Sequence, residues 1–210
     1  MTKVMDDQEL WDRARAGDAA AFGALYERHA RAVYEFCFWR TSDAALAEDL
    51  CAAVFVEVWA ARGRTALSQP SLRPWLFGVA HNLVRNQWRS ARRRRAALDR
   101  LPPLRDAPDH AETVAERVDA ERRMRAVRAA VDRLPRRERD VLELCGWAGL
   151  TPAEAAVALK VPVGTVHSRL HRARARLAEL STEATRGSGH GPGEHIHPDL
   201  SATEEVRDGR

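Results

Sequence analysis

The sequence has almost no strand signal. Val, Ile, Thr and Tyr never alternate with polar residues over a useful length, while Ala, Leu, Arg and Glu dominate. That points away from sheet-based folds, and the chain reads as all-α. Cysteine is scarce, with only Cys37, Cys51 and Cys145 among 210 residues. The count is odd, each thiol lies in an apolar helical stretch, and no pair has metal-ligand spacing. A disulfide framework and a cysteine zinc site are therefore not expected, and the thiols read as buried groups of a reducing compartment. No apolar run approaches the roughly 18 residues of a membrane span, and the start "MTKVMDDQELWDRARAGD" lacks a signal-peptide core. The expectation is a cytoplasmic protein with no membrane insertion of its own. There is no Gly-rich phosphate loop, nucleophile elbow or paired metal-ligand motif, so neither an enzyme nor a cofactor is expected.

What is present is charge and helix former. Charged residues make up 30% and apolar residues 45%, which suits helix-rich, core-forming segments. The formal charge is only +4, yet the pI is about 9.4. Arginine supplies nearly all the cations, and its planar fork suits phosphates and base edges better than the lysine ammonium. A GC-rich genome would raise Arg and Ala everywhere but would not cluster the positives.

Along the chain, "DDQELWDRARAGDAAAFGALYERHARAVYEFCFWRT" holds two or three helices, with Gly17-Asp18 as a stop and restart. Phe22, Leu25, Tyr26, Val33 and Phe36 keep helical spacing there. "SDAALAEDLCAAVFVEVWAARG" opens on Ser42 or Asp43 as N-cap and closes on Gly63. "RTALSQPSLR" is a loop, and "PWLFGVAHNLVRNQWRSARRRR" is a helix with Pro74 in its first turn. From residue 96 to 113 proline and charge replace periodicity, which predicts a linker between two small helical domains, 1–95 and 114–180. Residues 181–210 read as a polar, disordered tail. Its His190, His195 and His197 have no ordered frame and are weak grounds for a metal site.

The stretch "LTPAEAAVALKVPVGTVHSRLHRARARL" predicts a helix-turn-helix. Thr151, Pro152 and Glu154 make a capping box with proline at the first helical position. Ala155 and Ala156 allow a close helix approach, and Lys160-Val161 breaks the helix. In the second helix Val163, Val166, Leu170, Ala173 and Leu177 form one apolar face. Thr165, His167, Ser168, Arg169, His171, Arg172 and Arg176 lie outside it and could enter a major groove. An ordinary solvated basic helix is the blander alternative.

Two helices of the first half carry opposite surfaces. In the helix of 75–95, Leu76, Val79, Ala80, Leu83 and Gln87 cluster on one side. Trp75, Asn82, Asn86 and Arg89 lie on another, with Arg85 beside them, and Arg92 to Arg95 follow. Aromatics, amides and arginines together suit an unpaired strand. Trp75 and Trp88 could equally be core or interface residues. In the preceding helix Leu46, Leu50, Val54, Phe55, Val58 and Trp59 supply a core, leaving Glu48, Asp49 and Glu57 outside. An acidic face is a poor DNA contact and a good protein docking surface.

At these residues the chain resembles a known family. "FGALYERHARAVYEFCFWRTSDAALAEDLCAAVFVEVWAARG" with "LRPWLFGVAHNLVRNQWRSARRR" is similar to region 2 of the extracytoplasmic-function sigma factors of the sigma-70 family. "LPRRERDVLELCGWAGLTPAEAAVALKVPVGTVHSRLHRARARL" is similar to their region 4. The resemblance implies a sigma factor, docking on the clamp helices and flap of core RNA polymerase. Glu48, Asp49 and Glu57 would face the polymerase. The 62–73 loop, with Trp75, Asn82, Arg85, Asn86 and Arg89, would open and hold the −10 element. The second helix of the helix-turn-helix would read the −35 element as duplex, and an anti-sigma factor would control the protein. Two departures stand out: His167 replaces the family's usual arginine, and Cys51-Ala52-Ala53 follow "EDL". The alternative is a stand-alone helix-turn-helix regulator with a sensing or dimerising first half.

Overall fold

The computed structural model describes residues 5–67, 70–98 and 115–187. Among them every regular element is a helix. The first half runs α1 (Asp7–Arg15), α2 (Ala19–Thr41), α3 (Ala44–Ala61), a single 3₁₀ turn (Arg62–Arg64) and α4 (Arg73–Leu98). The second runs α5 (Ala115–Asp132), α6 (Arg136–Gly146), α7 (Pro152–Leu159) and α8 (Val163–Gly187).

Side-chain caps set the helix starts. Asp6 and Glu9 form a reciprocal capping box on α1. Gly17 turns the chain at φ +100°, a conformation that favours glycine, and Asp18 accepts from the Ala20 and Ala21 N–H groups to open α2. Of the two candidate caps at α3, Asp43 is the one used; Ser42 closes α2 in the left-handed conformation. The expected capping box at Thr151 and Glu154 is present. Lys160, at φ 55°, ends α7 and sets up the turn into α8.

The first-half core gathers Leu10, Leu25, Val33, Phe36, Val54, Val58, Leu76 and Phe77. Asp7 is buried with it. Its carboxylate accepts from the Arg28 guanidinium at 2.7 Å and the Leu72 N–H at 2.9 Å, and lies 2.9 Å from His29 Nε2. One side chain thus ties α1 to α2 and to the start of α4. The same hydrophobic cluster continues into the second half through Val131, Leu134, Val141, Leu144, Leu150, Val166, Leu170 and Ala173.

Three expectations are corrected. Tyr26 is 47% exposed although it keeps helical spacing with the core, and its ring lies edge-on to Phe55. Val163 is 46% exposed, because the first residue of α8 projects past the helices that cover Val166. α8 continues beyond Leu180 to Gly187, into the segment expected to be tail. His190, His195 and His197 lie outside the described residues.

Candidate nucleic-acid interface

In the α7–turn–α8 unit most of the apolar face of α8 is turned inward. Val166, Leu170 and Ala173 are buried, and Leu177 is half-buried. His167, Ser168, His171, Arg172 and Arg176 are exposed, while Thr165 and Arg169 are half-buried. Arg174 also stands exposed on this helix. No sequence pattern marks Glu138 as a partner of this helix. This α6 carboxylate is 7% exposed and accepts from Arg172 Nε at 3.3 Å, while Arg176 Nη1 lies 3.2 Å from its other oxygen. The bond at Nε leaves both terminal nitrogens of Arg172 available for a two-pronged contact with guanine. Two arginines of α8 are therefore held by one buried acid.

On α4, Asn82, Asn86 and Arg89 are exposed and Arg85 is half-buried. Arg89 donates to the Asn86 side-chain oxygen at 2.7 Å. Trp75 is half-buried, its ring edge-on to Trp11 with centroids 4.9 Å apart, so much of it serves packing. Trp88 is 47% exposed and is the freer aromatic of the pair. The buried side of α4 is broader than the sequence suggested, because Phe77, His81 and Val84 are covered as well as Leu76 and Ala80. Three helices, α2, α3 and α7, pack on α4.

The third surface is on α3. Glu48, Asp49 and Glu57 are exposed, opposite buried Ala47, Leu50, Val54 and Val58. Val56, 67% exposed, adds an apolar point to this acidic face.

The two halves also meet each other, which no sequence pattern indicated. Trp39 stacks on Trp147 with ring centroids 4.1 Å apart. Arg40 pairs with Glu143, and Arg73 donates to the Ala148 carbonyl. Gly78 lets α7 approach α4: a Cβ there would lie 3.0 Å from the Ala158 carbonyl oxygen. A hollow of about 250 Å³ beside this crossing is lined by Trp75 and Asn82 from α4 and by Ala158 and Lys160 from the α7 end.

Burial sets the chemistry of the seam. Desolvation pushes the His81 imidazole down to about 4 against the opposing pull of Asp140, so His81 is neutral near pH 7. Desolvation likewise brings Arg40 down to about 10. His81, Asp140 and Glu143 bring ligand atoms within 4.8 Å of one another, but the Arg40 guanidinium already answers Glu143 with a fixed cation. Burial, with the neighbouring Cys51 thiol, pushes Cys37 up to about 12, and burial pushes Cys145 up to about 11. These thiols stay protonated and unreactive near neutrality.

Residues 25–94 match the family described as Sigma-70 region 2, and residues 124–177 match Sigma-70, region 4. The ECF RNA polymerase sigma factor SigL of Mycobacterium tuberculosis is 31% identical over 163 residues, spanning 76% of this chain and 88% of the relative. The RNA polymerase sigma factor NccH of Alcaligenes xylosoxydans is 31% identical over 186 residues, spanning 86% and 97%. Among solved structures, CnrH in complex with the cytosolic domain of CnrY superposes with a TM-score of 0.65 at 25% identity, covering 84% of this chain and 97% of that one. The sigma factor RpoE bound to the anti-sigma factor NepR, from Bartonella quintana, gives 0.57 at 25% identity, covering 77% and 96%.

Proposed function

The chain belongs to the extracytoplasmic-function branch of the sigma-70 family of RNA polymerase sigma factors, and from that premise we propose how its surfaces divide the work. Residues 1–95 form the half that docks on core polymerase and handles the −10 element. Residues 96–113 link it to the −35 half, which extends to the end of α8 at Gly187. Glu48, Asp49 and Glu57 meet the polymerase. Asn82, Arg85, Asn86 and Arg89, with the outer edge of Trp75, hold the separated −10 strand. Thr165, His167, Ser168, Arg169, His171, Arg172 and Arg176 serve the −35 duplex. The protein contributes specificity and carries no catalytic residues; it acts in the cytoplasm. An anti-sigma protein restrains it, as the RpoE relative is held by NepR. The region 2 match replaces the alternative of a sensing first half.

One observation carries the division: acidic and basic side chains are segregated onto different helices. The exposed polar face of α3 offers Glu48, Asp49 and Glu57, whereas the exposed faces of α4 and α8 offer arginine and amide. A duplex repels the first and attracts the others. The test is charge reversal on α3. The pair Glu48→Lys and Asp49→Lys should weaken association with core polymerase by at least about tenfold while leaving the melting temperature in place. Undiminished co-elution with core polymerase would remove this docking surface.

A further inference from the structure

Where α4 faces α5 and α6, the two halves enclose an open cleft of about 350 Å³. Its α4 wall carries Arg85, Arg89 and Arg92 with Trp88; Arg128, Arg136 and Arg139 stand on the other side. The acids in the cleft are already engaged. Asp132 pairs with Arg139 at 2.7 Å, Asp140 lies 4.0 Å from Arg136, and Glu143 pairs with Arg40. Among the described residues, no carboxylate lies within ion-pair distance of Arg85, Arg89, Arg92 or Arg128. Arg128 donates only to neutral partners, the Ser42 hydroxyl and the Phe38 carbonyl. The Nε donors of Arg85, Arg128 and Arg139 are buried and have no hydrogen-bond acceptor.

Arg85, Arg89 and Arg92 thus have no acid at ion-pair distance among the described residues, and Arg128 feels only Asp132, which already pairs with Arg139. The guanidinium groups gathered in the cleft therefore repel each other, and buried donors are left unmade. Both costs vanish if a multivalent anion occupies the space. Guanidinium forks match phosphate oxygens bidentately. A volume near 350 Å³ sits at the small end of the range for ligand pockets. Trp88, 47% exposed at the same cleft, offers a flat apolar face on which a base can stack. We propose that this cleft binds a nucleoside polyphosphate, with its phosphates on the arginines of both walls and its base on Trp88. Bound there, the ligand bridges the two halves. It also occupies Arg85 and Arg89, so it competes with any strand that uses them.

The test uses the full chain, free of polymerase and DNA, at physiological salt. ATP, GTP and inorganic tripolyphosphate are titrated by calorimetry and by tryptophan fluorescence. Saturable one-to-one binding is expected, with the nucleotides at least about tenfold tighter than tripolyphosphate. Trp88→Ala should bring the nucleotides down to the tripolyphosphate level. Arg89→Gln and Arg136→Gln, from opposite walls, should each weaken all three ligands by about tenfold or more. Gly78→Leu, which touches no part of the cleft but wedges α7 away from α4, should weaken them too. Thermal melts check that each variant is folded. Absence of saturable binding at millimolar ligand overturns the proposal. So does a tripolyphosphate affinity equal to that of the nucleotides and indifferent to Trp88→Ala. Loss on Arg89→Gln with none on Arg136→Gln or Gly78→Leu also overturns it, because it would assign the binding to the α4 surface alone.

Discussion

At Glu138 a single buried carboxylate holds two arginines of α8, the helix proposed to read the −35 duplex, and the two are not held alike. Arg172 is bound through Nε and keeps its terminal nitrogens; Arg176 offers one of its own terminal nitrogens to the acid. Arg172→Ala should therefore relax base preference at one or two −35 positions, a loss of about 1–3 kcal/mol in discrimination. Arg176→Ala should weaken all sequences alike and lower the salt slope by about one. A randomised −35 library measured with each variant distinguishes them; a uniform loss for Arg172→Ala would make that side chain a phosphate clamp. His167→Arg should shift the preferred base without abolishing binding. Asp7 works through stability instead. Burial alone would raise its carboxyl, but His29, the Leu72 N–H and Arg28 hold it well below its ordinary 3.8. Because the folded pKa is depressed, the stabilisation is present above the ordinary carboxylate range and is lost as pH falls through 3.8 and below. Asp7→Asn should cost about 3 kcal/mol at neutral pH and flatten that acid limb in denaturant titrations. An acid limb unchanged by Asp7→Asn would show that other carboxylates govern it.

At the scale of the helix, the crossing of α7 over α4 depends on the missing side chain of Gly78. Gly78→Leu should push the helices apart, destabilise the closed arrangement by about 1–3 kcal/mol, and enlarge the radius of gyration seen in solution scattering. An unchanged scattering profile would mean that the halves are held elsewhere. Helix ends were legible in the sequence because they are local. Asp18, Asp43 and the Thr151–Glu154 box act within a few residues of themselves, and composition names them. The apolar stripe of α8 was legible for the same reason, except at Val163, where the end of the element decides exposure. What faces α4 was not legible. Phe77 is buried against Phe36 of α2 and His81 beside Asp140 of α6, while α7 meets α4 at Gly78, and one helical period cannot report several neighbours. Glu138, Arg40 and Asp7 escaped notice likewise: each looks like surface charge until its partner arrives from another element.

For the whole molecule, the modest charge of +4 hides a strong segregation: an acidic α3 against arginine-rich α4 and α8. Two DNA-reading halves on one linker need not each bind tightly, since engagement of one raises the effective concentration of the other. The closed arrangement sets a condition on this. The hollow holding Asn82 and Trp75 has α7 residues on its far wall, so a strand seated fully on α4 requires the halves to part. The central claim is that this chain confers promoter specificity on core polymerase through these separate surfaces. The direct measurement is multiple-round run-off transcription by purified core polymerase on a library of genomic promoter fragments, with and without the chain. The account predicts transcripts only when the chain is present. They should start downstream of a shared pair of elements, be lost with Glu48→Lys and Asp49→Lys, and, for Asn82→Ala with Arg89→Ala, be restored on a pre-melted template. Transcripts independent of the chain, or a chain that binds duplex as a dimer and leaves core polymerase unspecific, would contradict it.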